Sequence, residues 1–574
     1  MKISGGGTVV KSLVWHKVET VYGLPGSHIL EIYDWLRAEK RINNVLTMHE
    51  INAAFMADAH GRLTGQPGVC IVTAGPGATN AVTGIAQAYA EASPVVLITG
   101  GPNGREKIRH DHTVDDLDFL LKIYRPLTKW SVRIERLKDI PSILDKAFNV
   151  ATSGRPGPVH LEIPTSVLLS SGYMSEFGVD TKTVAPDITS SVKRVTEILQ
   201  SAADPIIAVG KGVQREFCSE EVTRLSEVLC APILTLPSSI SAVPYDFPLY
   251  LGYDLAGDGS RWMVHPSINS LIKEADVILS LGFDVEERLF YFRENKGTLI
   301  QVHRDPSTTG DDEAACSRES VVDVEASVKE FVKLLETEVK ERHIRPKVVE
   351  KRISDIKKKI REDIAASIEW GAKPIHPGEI STELRRILDD DAIVTLDVGD
   401  TSEWAKVCCR ARTSNTILAS GRYCSMGFAL PAAIAAKINF PDKQVVAVTG
   451  DGGFLMSYMD FPTLVKYKLG IIVIVGNNQR YGMIWNMQRA KYRGRTFATE
   501  IQVPDLAEYA RTFGASGFKV KDPKDLKNTL EEAINTKGPV LVDVDTAYNV
   551  LSYMPTKVAR YLRNVKYLRT LFGN

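Results

Sequence analysis

An aspartate set among glycines, Thr449-Gly450-Asp451-Gly452-Gly453-Phe454, follows the apolar run at residues 445–449. A second apolar run, 471–475, leads into Gly476-Asn477-Asn478-Gln479-Arg480-Tyr481-Gly482. Runs of this kind suit strands buried on both faces. Asp451 and Asn478 are therefore expected at the carboxyl ends of two sheet strands, the crevice in which open α/β sheets bind ligands. The glycines let the backbone approach phosphate oxygens. One carboxylate, one amide oxygen and one main-chain carbonyl fit a Mg²⁺ that takes its remaining ligands from a diphosphate and water. Taken alone, the first motif is an ordinary strand-to-helix turn. The Asn-Asn pair after the second strand is what turns it into a metal–diphosphate candidate.

Far upstream, Met48-His49-Glu50 opens the helical pattern INAAFMADAHGRLTG. A lone glutamate at a helix start is ordinarily a partner of the helix dipole. With both motifs present, the sequence resembles the thiamine-diphosphate-dependent enzymes. The resemblance implies that Asp451, Asn478 and the carbonyl of Arg480 hold Mg²⁺, and that Glu50 is the catalytic glutamate. In that chemistry the thiazolium carbon of the cofactor loses a proton to become a nucleophile. A glutamate on the pyrimidine nitrogen stabilises the tautomer that takes the proton, and a desolvated Glu suits the exchange near neutrality. The cofactor carries the organic chemistry and the protein supplies geometry.

Further segments resemble the same family. Tyr22-Gly23-Leu24-Pro25-Gly26 is similar to its first turn. Thr73-Ala74-Gly75-Pro76-Gly77-Ala78-Thr79-Asn80 is similar to the loop beside the pyrimidine. That loop lacks the third glycine of a dinucleotide fingerprint. Asp397-Val398-Gly399-Asp400-Thr401 is similar to the loop that meets the diphosphate. Ser420-Gly421-Arg422-Tyr423-Cys424-Ser425-Met426-Gly427 is similar to the segment whose large apolar residue, here Met426, props the cofactor into a bent conformation. The resemblance thus implies cofactor contacts at Pro25, Gly26, Gly77, Asn80, Gly399, Asp400, Thr401, Ser425, Met426, Gly450, Asp451, Gly452, Gly453, Asn478, Tyr481, Gly482, Met483 and Ile484.

These residues must be positioned by several domains, because a chain of 574 residues is too long for one core. Short β-branched runs at 70–73, 95–99, 159–163, 206–209, 277–281, 299–302, 393–398, 445–449, 471–475 and 540–544 alternate with helical patterns. The fold class expected is α/β with three parallel-sheet domains. The polar stretch 170–191 reads as a linker, and KVVEKRISDIKKKIRED as a solvated helix. The blocks are 1–170, 190–340 and 375–550, with a basic tail at 551–574. The resemblance makes them pyrimidine-binding, central nucleotide-type and diphosphate- and Mg²⁺-binding domains.

Composition narrows the partners. Lys+Arg and Asp+Glu each total 70, which argues against a general nucleic-acid binder. No run of about 18 apolar residues suggests a membrane span. The N-terminus carries no signal-peptide pattern. The seven cysteines are scattered and form no CxxC pair, so neither zinc nor a disulfide framework is indicated. A reduced, cytoplasmic compartment is expected.

The likeness is greatest to the acetolactate synthase-like branch, through Tyr124-Arg125-Pro126-Leu127-Thr128-Lys129-Trp130, the FALPAA run at 428–433 and Tyr481-Gly482-Met483-Ile484. It implies decarboxylation of a pyruvate-like 2-oxoacid with carboligation to a second carbonyl. It also implies a homodimer or homotetramer whose active sites lie between subunits. Departures from the branch fall around the substrate. His112-Thr113-Val114-Asp115-Asp116 stands where the branch has AFQE, and Met487 stands where it has a selective tryptophan. Arg109-His110-Asp111-His112-Thr113 faintly resembles the paired histidines of pyruvate-type decarboxylases. His110, His112, Asp115 and Met487 are the substrate-pocket candidates. A non-ligating decarboxylase, or a 2-hydroxyacyl-CoA lyase or oxalyl-CoA decarboxylase relative, stays open beside the main reading. Asp246-Phe247-Pro248-Leu249-Tyr250-Leu251-Gly252 and Gly282-Phe283-Asp284-Val285-Glu286-Glu287-Arg288 partly match a flavin-binding domain, which holds FAD, ADP or nothing.

Overall fold

The computed structural model describes residues 2–102, 112, 114–173, 187–253, 265–284, 295–304, 321–339, 346–548 and 550. Three six-stranded parallel sheets follow one another along the chain. The first holds Thr20–Leu24, Asn43–Leu46, Gly68–Val72, Val95–Gly101, Trp130–Arg133 and Pro158–Pro164. The middle sheet holds Pro205–Val209, Ile233–Thr235, Tyr250–Tyr253, Val277–Leu281, Thr298–His303 and Val321–Glu325. The third holds Ile393–Leu396, Ile417–Ala419, Val445–Gly450, Ile471–Asn477, Ser516–Val520 and Val540–Asp545. With strands counted in chain order within each sheet, the first and third share the order 2-1-3-4-6-5. The middle sheet runs 3-2-1-4-5-6, the doubly wound order of dinucleotide-binding domains.

All ten apolar runs become strands. The remaining parallel strands are mostly short or lie at edges, where one face meets solvent and the pattern weakens. Val321–Glu325, for example, alternates exposed and buried residues. The expected linker at 170–191 needs correction at both ends. Ser171–Tyr173 pairs antiparallel with Lys2–Ser4, and a helix, Thr189–Ser201, begins before the stretch is over. Backbone pairing needs no apolar side chains, so polarity hid the strand. The charged stretch forms the helix Pro346–Ser367. No helix among the described residues is long and apolar enough to cross a membrane.

The first and third domains share one core. Helix Glu50–Thr64 packs against helix Ala429–Asn439, and both bury residues nearly all round. Ala53, Ala54 and Ala57 on one and Ala429, Ala432 and Ala433 on the other are fully buried. Small side chains let the two helices approach closely. Phe55 and Phe428 close the contact edge to face, their centroids 5.8 Å apart.

Candidate active site

The third sheet brings its chemistry together by register. Leu396 pairs with Val448, and Gly450 with Gly476. The loops after three adjacent strands, carrying Asp397–Asp400, Asp451 and Asn478, therefore open at one level. This is the switch point of the 2-1-3-4-6-5 order. Three helices start here: Asp400–Cys408 after Gly399, Asp451–Ser457 after Gly450, and Gly482–Lys491 after Tyr481. No N-cap side chain closes any of them, so apart from Gly452 N, which is given to Asp451, their first N–H groups are available to an anion. Gly399 takes φ 128°, which favours glycine.

Asp451 is 2% exposed. Its Oδ1 accepts from Gly452 N at 2.8 Å and its Oδ2 from Asn478 N at 3.1 Å. Burial pushes the carboxyl up to about 6, although neighbouring backbone N–H groups pull the other way. A buried carboxylate short of positive charge suits a hard dication, which would restore the charged form. Asn478 folds back to accept from Arg480 N at 3.0 Å. The Arg480 guanidinium is engaged elsewhere, 3.1 Å from Glu500 and over the Tyr548 ring.

Around this turn Gly452 lies against Tyr481 and Met426, and Gly482 beside Asn478 and Asp400. Thr401 packs on Gly476. Ser425 is buried, and its hydroxyl has no hydrogen-bond partner. Asp397 binds the segment together: it accepts from Val398 N at 2.8 Å, Gly427 N at 2.9 Å and Ala429 N at 3.2 Å. Asn486, which the sequence reading passed over, donates to Asp400 Oδ2 at 3.4 Å and to the carbonyls of Tyr548 and Val550.

A second cluster forms in the first domain. Glu50 is the first residue of its helix and is 7% exposed. His49 caps that helix, its Nδ1 accepting from Ile51 N at 3.2 Å. Asn80 Nδ2 donates to Glu50 Oε2 at 2.9 Å. Gly26 and Gly77 pack so tightly on Thr73 that a Cβ at either would come within 2.8 Å of it. Gly77 also touches Glu50, whose Oε1 would lie 3.2 Å from such a Cβ. The Thr73 hydroxyl is buried without a partner beside this group, ready for a polar ligand atom. Asp460 of the third domain fixes the approach to Glu50. It accepts from Met48 N at 2.9 Å and from the Asn52 side chain. In sequence Asp460 looks like a plain turn residue before a helix, with no local sign of this role.

Residues 397–544 match the thiamine pyrophosphate enzyme C-terminal TPP binding domain, 3–119 the N-terminal TPP binding domain, and 192–333 the central domain. The chain belongs to the thiamine pyrophosphate enzymes. It is 32% identical over 552 residues to the acetolactate synthase of Bacillus subtilis (strain 168), covering 96% of this chain and 94% of that protein. It is 31% identical over 558 residues to the acetolactate synthase isozyme 3 large subunit of Escherichia coli (strain K12), covering 95% and 94%. The probable acetolactate synthase large subunit of Methanocaldococcus jannaschii is 30% identical over 561 residues, covering 94% and 92%. As a thiamine pyrophosphate enzyme the protein takes thiamine diphosphate as its cofactor, in keeping with the uncapped helix starts and the Glu50 cluster.

The described substrate-pocket candidates come from the first and third domains. His112 lies over Gly75 of the pyrimidine loop, its ring 4.8 Å from that of His28. Asp115 is exposed, and Met487 is 52% exposed on the face that also carries Ile484. Met483 is half-buried and Pro25 exposed. His110 and the tail at 551–574 lie outside the described residues.

Proposed function

We propose that this chain is a Mg²⁺- and thiamine-diphosphate-dependent 2-oxoacid decarboxylase and carboligase of the acetolactate synthase type. The observation that carries the reading is the buried Glu50, held by Asn80 and Gly77, in a chain whose third domain presents a second, anion-ready half-site. When bound, thiamine diphosphate supplies a thiazolium carbon that adds to a carbonyl and accommodates the electron pair left as CO₂ departs. Glu50 holds a proton at its carboxyl for the pyrimidine nitrogen, and Asn80 keeps that carboxyl in place. Asp451, Asn478 and the Arg480 carbonyl hold Mg²⁺. Met426, against Gly452, props the cofactor.

The Glu50 and Asp451 clusters lie on different domains, and a homodimer would let one subunit's Glu50 serve the other's diphosphate site. Met48, Met456, Tyr458, Ile484 and Met487 are large apolar residues left exposed on the single chain, which supports such an interface. At the middle domain's switch point a cavity of about 440 Å³ lies against the first domain, whose Gly65, Pro94 and Arg155 form one of its walls. Gly212, Arg215, Gly282, Asp284 and Arg304 line it, which supports a nucleotide such as FAD or ADP. A non-ligating decarboxylase is the second reading, favoured by the His28–His112 pair over the pyrimidine loop. Incubation with pyruvate, thiamine diphosphate and Mg²⁺ separates the two. Acetolactate as the main product supports carboligation, whereas acetaldehyde and CO₂ without acetolactate would replace it with decarboxylation.

A further inference from the structure

Three domains meet at one buried carboxylate. Glu91, at the end of helix Val82–Ala90, is 3% exposed. Lys211 of the middle domain, itself buried, puts its Nζ 2.8 Å from Glu91 Oε2. Arg62, on the helix that begins with Glu50, puts Nη2 3.9 Å from the same oxygen. On the third domain's side, Arg422 N donates to Glu91 Oε1 at 2.8 Å. Gly421 sits on the carboxylate with φ 73°, and a Cβ there would fall 2.3 Å from Oε1.

The contact does not end at Glu91. Arg62 Nη1 donates to the Ala419 carbonyl at 2.8 Å. The Ser420 hydroxyl lies 3.0 Å from Gln87 Oε1 and 2.8 Å from the Ser425 carbonyl. Gln87 in turn donates to Asp58 Oδ2 at 3.1 Å. The stretch 419–422 is therefore held by the first domain at three places. The chain then runs on to Met426, beside Gly452, and to Gly427, which Asp397 anchors. Burial works against the charged form of Glu91, yet Lys211 and Arg62 more than offset it and its carboxyl sits below the usual range. A charged pair this buried loses its balance when either partner goes.

We infer that Glu91, paired with Lys211, is a positioning residue that fixes the 419–427 stretch and, through Met426, sets how tightly the third domain holds thiamine diphosphate. The inference rests on the reading that Met426 faces the cofactor. A pair that merely glued domains together would change stability and leave cofactor affinity alone.

The test measures thiamine diphosphate binding by calorimetry in the presence of Mg²⁺, with melting of the cofactor-free chains alongside. Glu91→Gln keeps the shape and removes the charge, and Lys211→Met removes the partner from outside the cofactor domain. Each should raise Kd about tenfold, and the double variant should bind no more weakly than the worse single one, because both remove the same pair. Lys211→Arg, which keeps a cation there, should recover most of the loss. Wild-type Kd in both single variants, with lowered melting, would overturn the inference. So would effects that simply multiply in the double variant. If Glu91→Gln does not fold, Lys211→Met decides alone, and an unchanged Kd there is equally fatal. The readout uses no substrate, so its failure is separable from a wrong choice of 2-oxoacid.

Discussion

Replacing Asp451 by asparagine separates the electrostatics of the metal site from its shape. In the chain without cofactor the Asp451 carboxyl is pushed up to about 6 from an ordinary 3.8. Burial is the main cause, opposed by the N–H groups of Gly452, Gln479, Asn478 and Arg480. A raised value means that the folded chain binds the proton more tightly than the unfolded one. Stability from this group is then full below the unfolded value and is lost as pH rises through about 6. The gap corresponds to on the order of 3 kcal/mol. Asparagine cannot titrate. It sets an NH₂ against one of the two N–H groups that Asp451 accepts from, which costs about 1–3 kcal/mol. That cost is the same at every pH, so it cancels in a comparison of two. Relative to wild type, Asp451→Asn should gain on the order of 3 kcal/mol between about pH 4 and about pH 7. Hydrogen exchange of the strand Val445–Gly450, corrected for intrinsic rates, reads the difference directly. With Mg²⁺ and thiamine diphosphate added, the wild-type trend should reverse across the same window, since a dication holds the carboxylate ionised. The variant should show no such response. Parallel pH profiles for the two cofactor-free chains would refute the reasoning.

Glu50→Gln keeps the reach to Asn80 but not the acid. It should cost about 1 kcal/mol or less in stability and about 10²–10⁴ in rate. Exchange of the cofactor's thiazolium proton should slow by a comparable factor, and exchange at the wild-type rate would assign the acid to another group. Phe428→Ala should destabilise by about 3–5 kcal/mol, because the ring is fully buried between Phe55 and Arg62 where the first and third domains share their core. Thermal unfolding checks this. An absorption spectrum of freshly purified protein, with mass analysis of released nucleotide, should reveal FAD or ADP from the cavity between the first and middle domains. A folded, fully active chain that releases none would remove that reading.

The residues legible in the sequence share a physical trait: each is demanded by its immediate backbone. Asp451 sits in a turn that needs glycines around it, and Asn478 follows a strand too apolar to be anything but buried. Glu50 opens a helix whose pattern runs unbroken to Gly65, which ends it with φ 73°. Such requirements are written in consecutive residues, so the two motifs, the three-domain order and the family could be read from the chain alone. What the sequence could not tell is where distant segments touch. Asp460 and Glu91 look like ordinary acidic residues, and nothing beside Asp397 marks its tie to Gly427. Their roles come from partners such as Gly427, Met48 and Lys211, which lie on other segments and, for Asp460 and Glu91, in other domains. The common strand order of the first and third sheets and the helix pair that joins them are likewise products of packing. A hydrogen bond between remote residues leaves no periodicity behind, because its geometry is set by how whole domains bury their apolar faces. Only the tertiary structure brings those partners together.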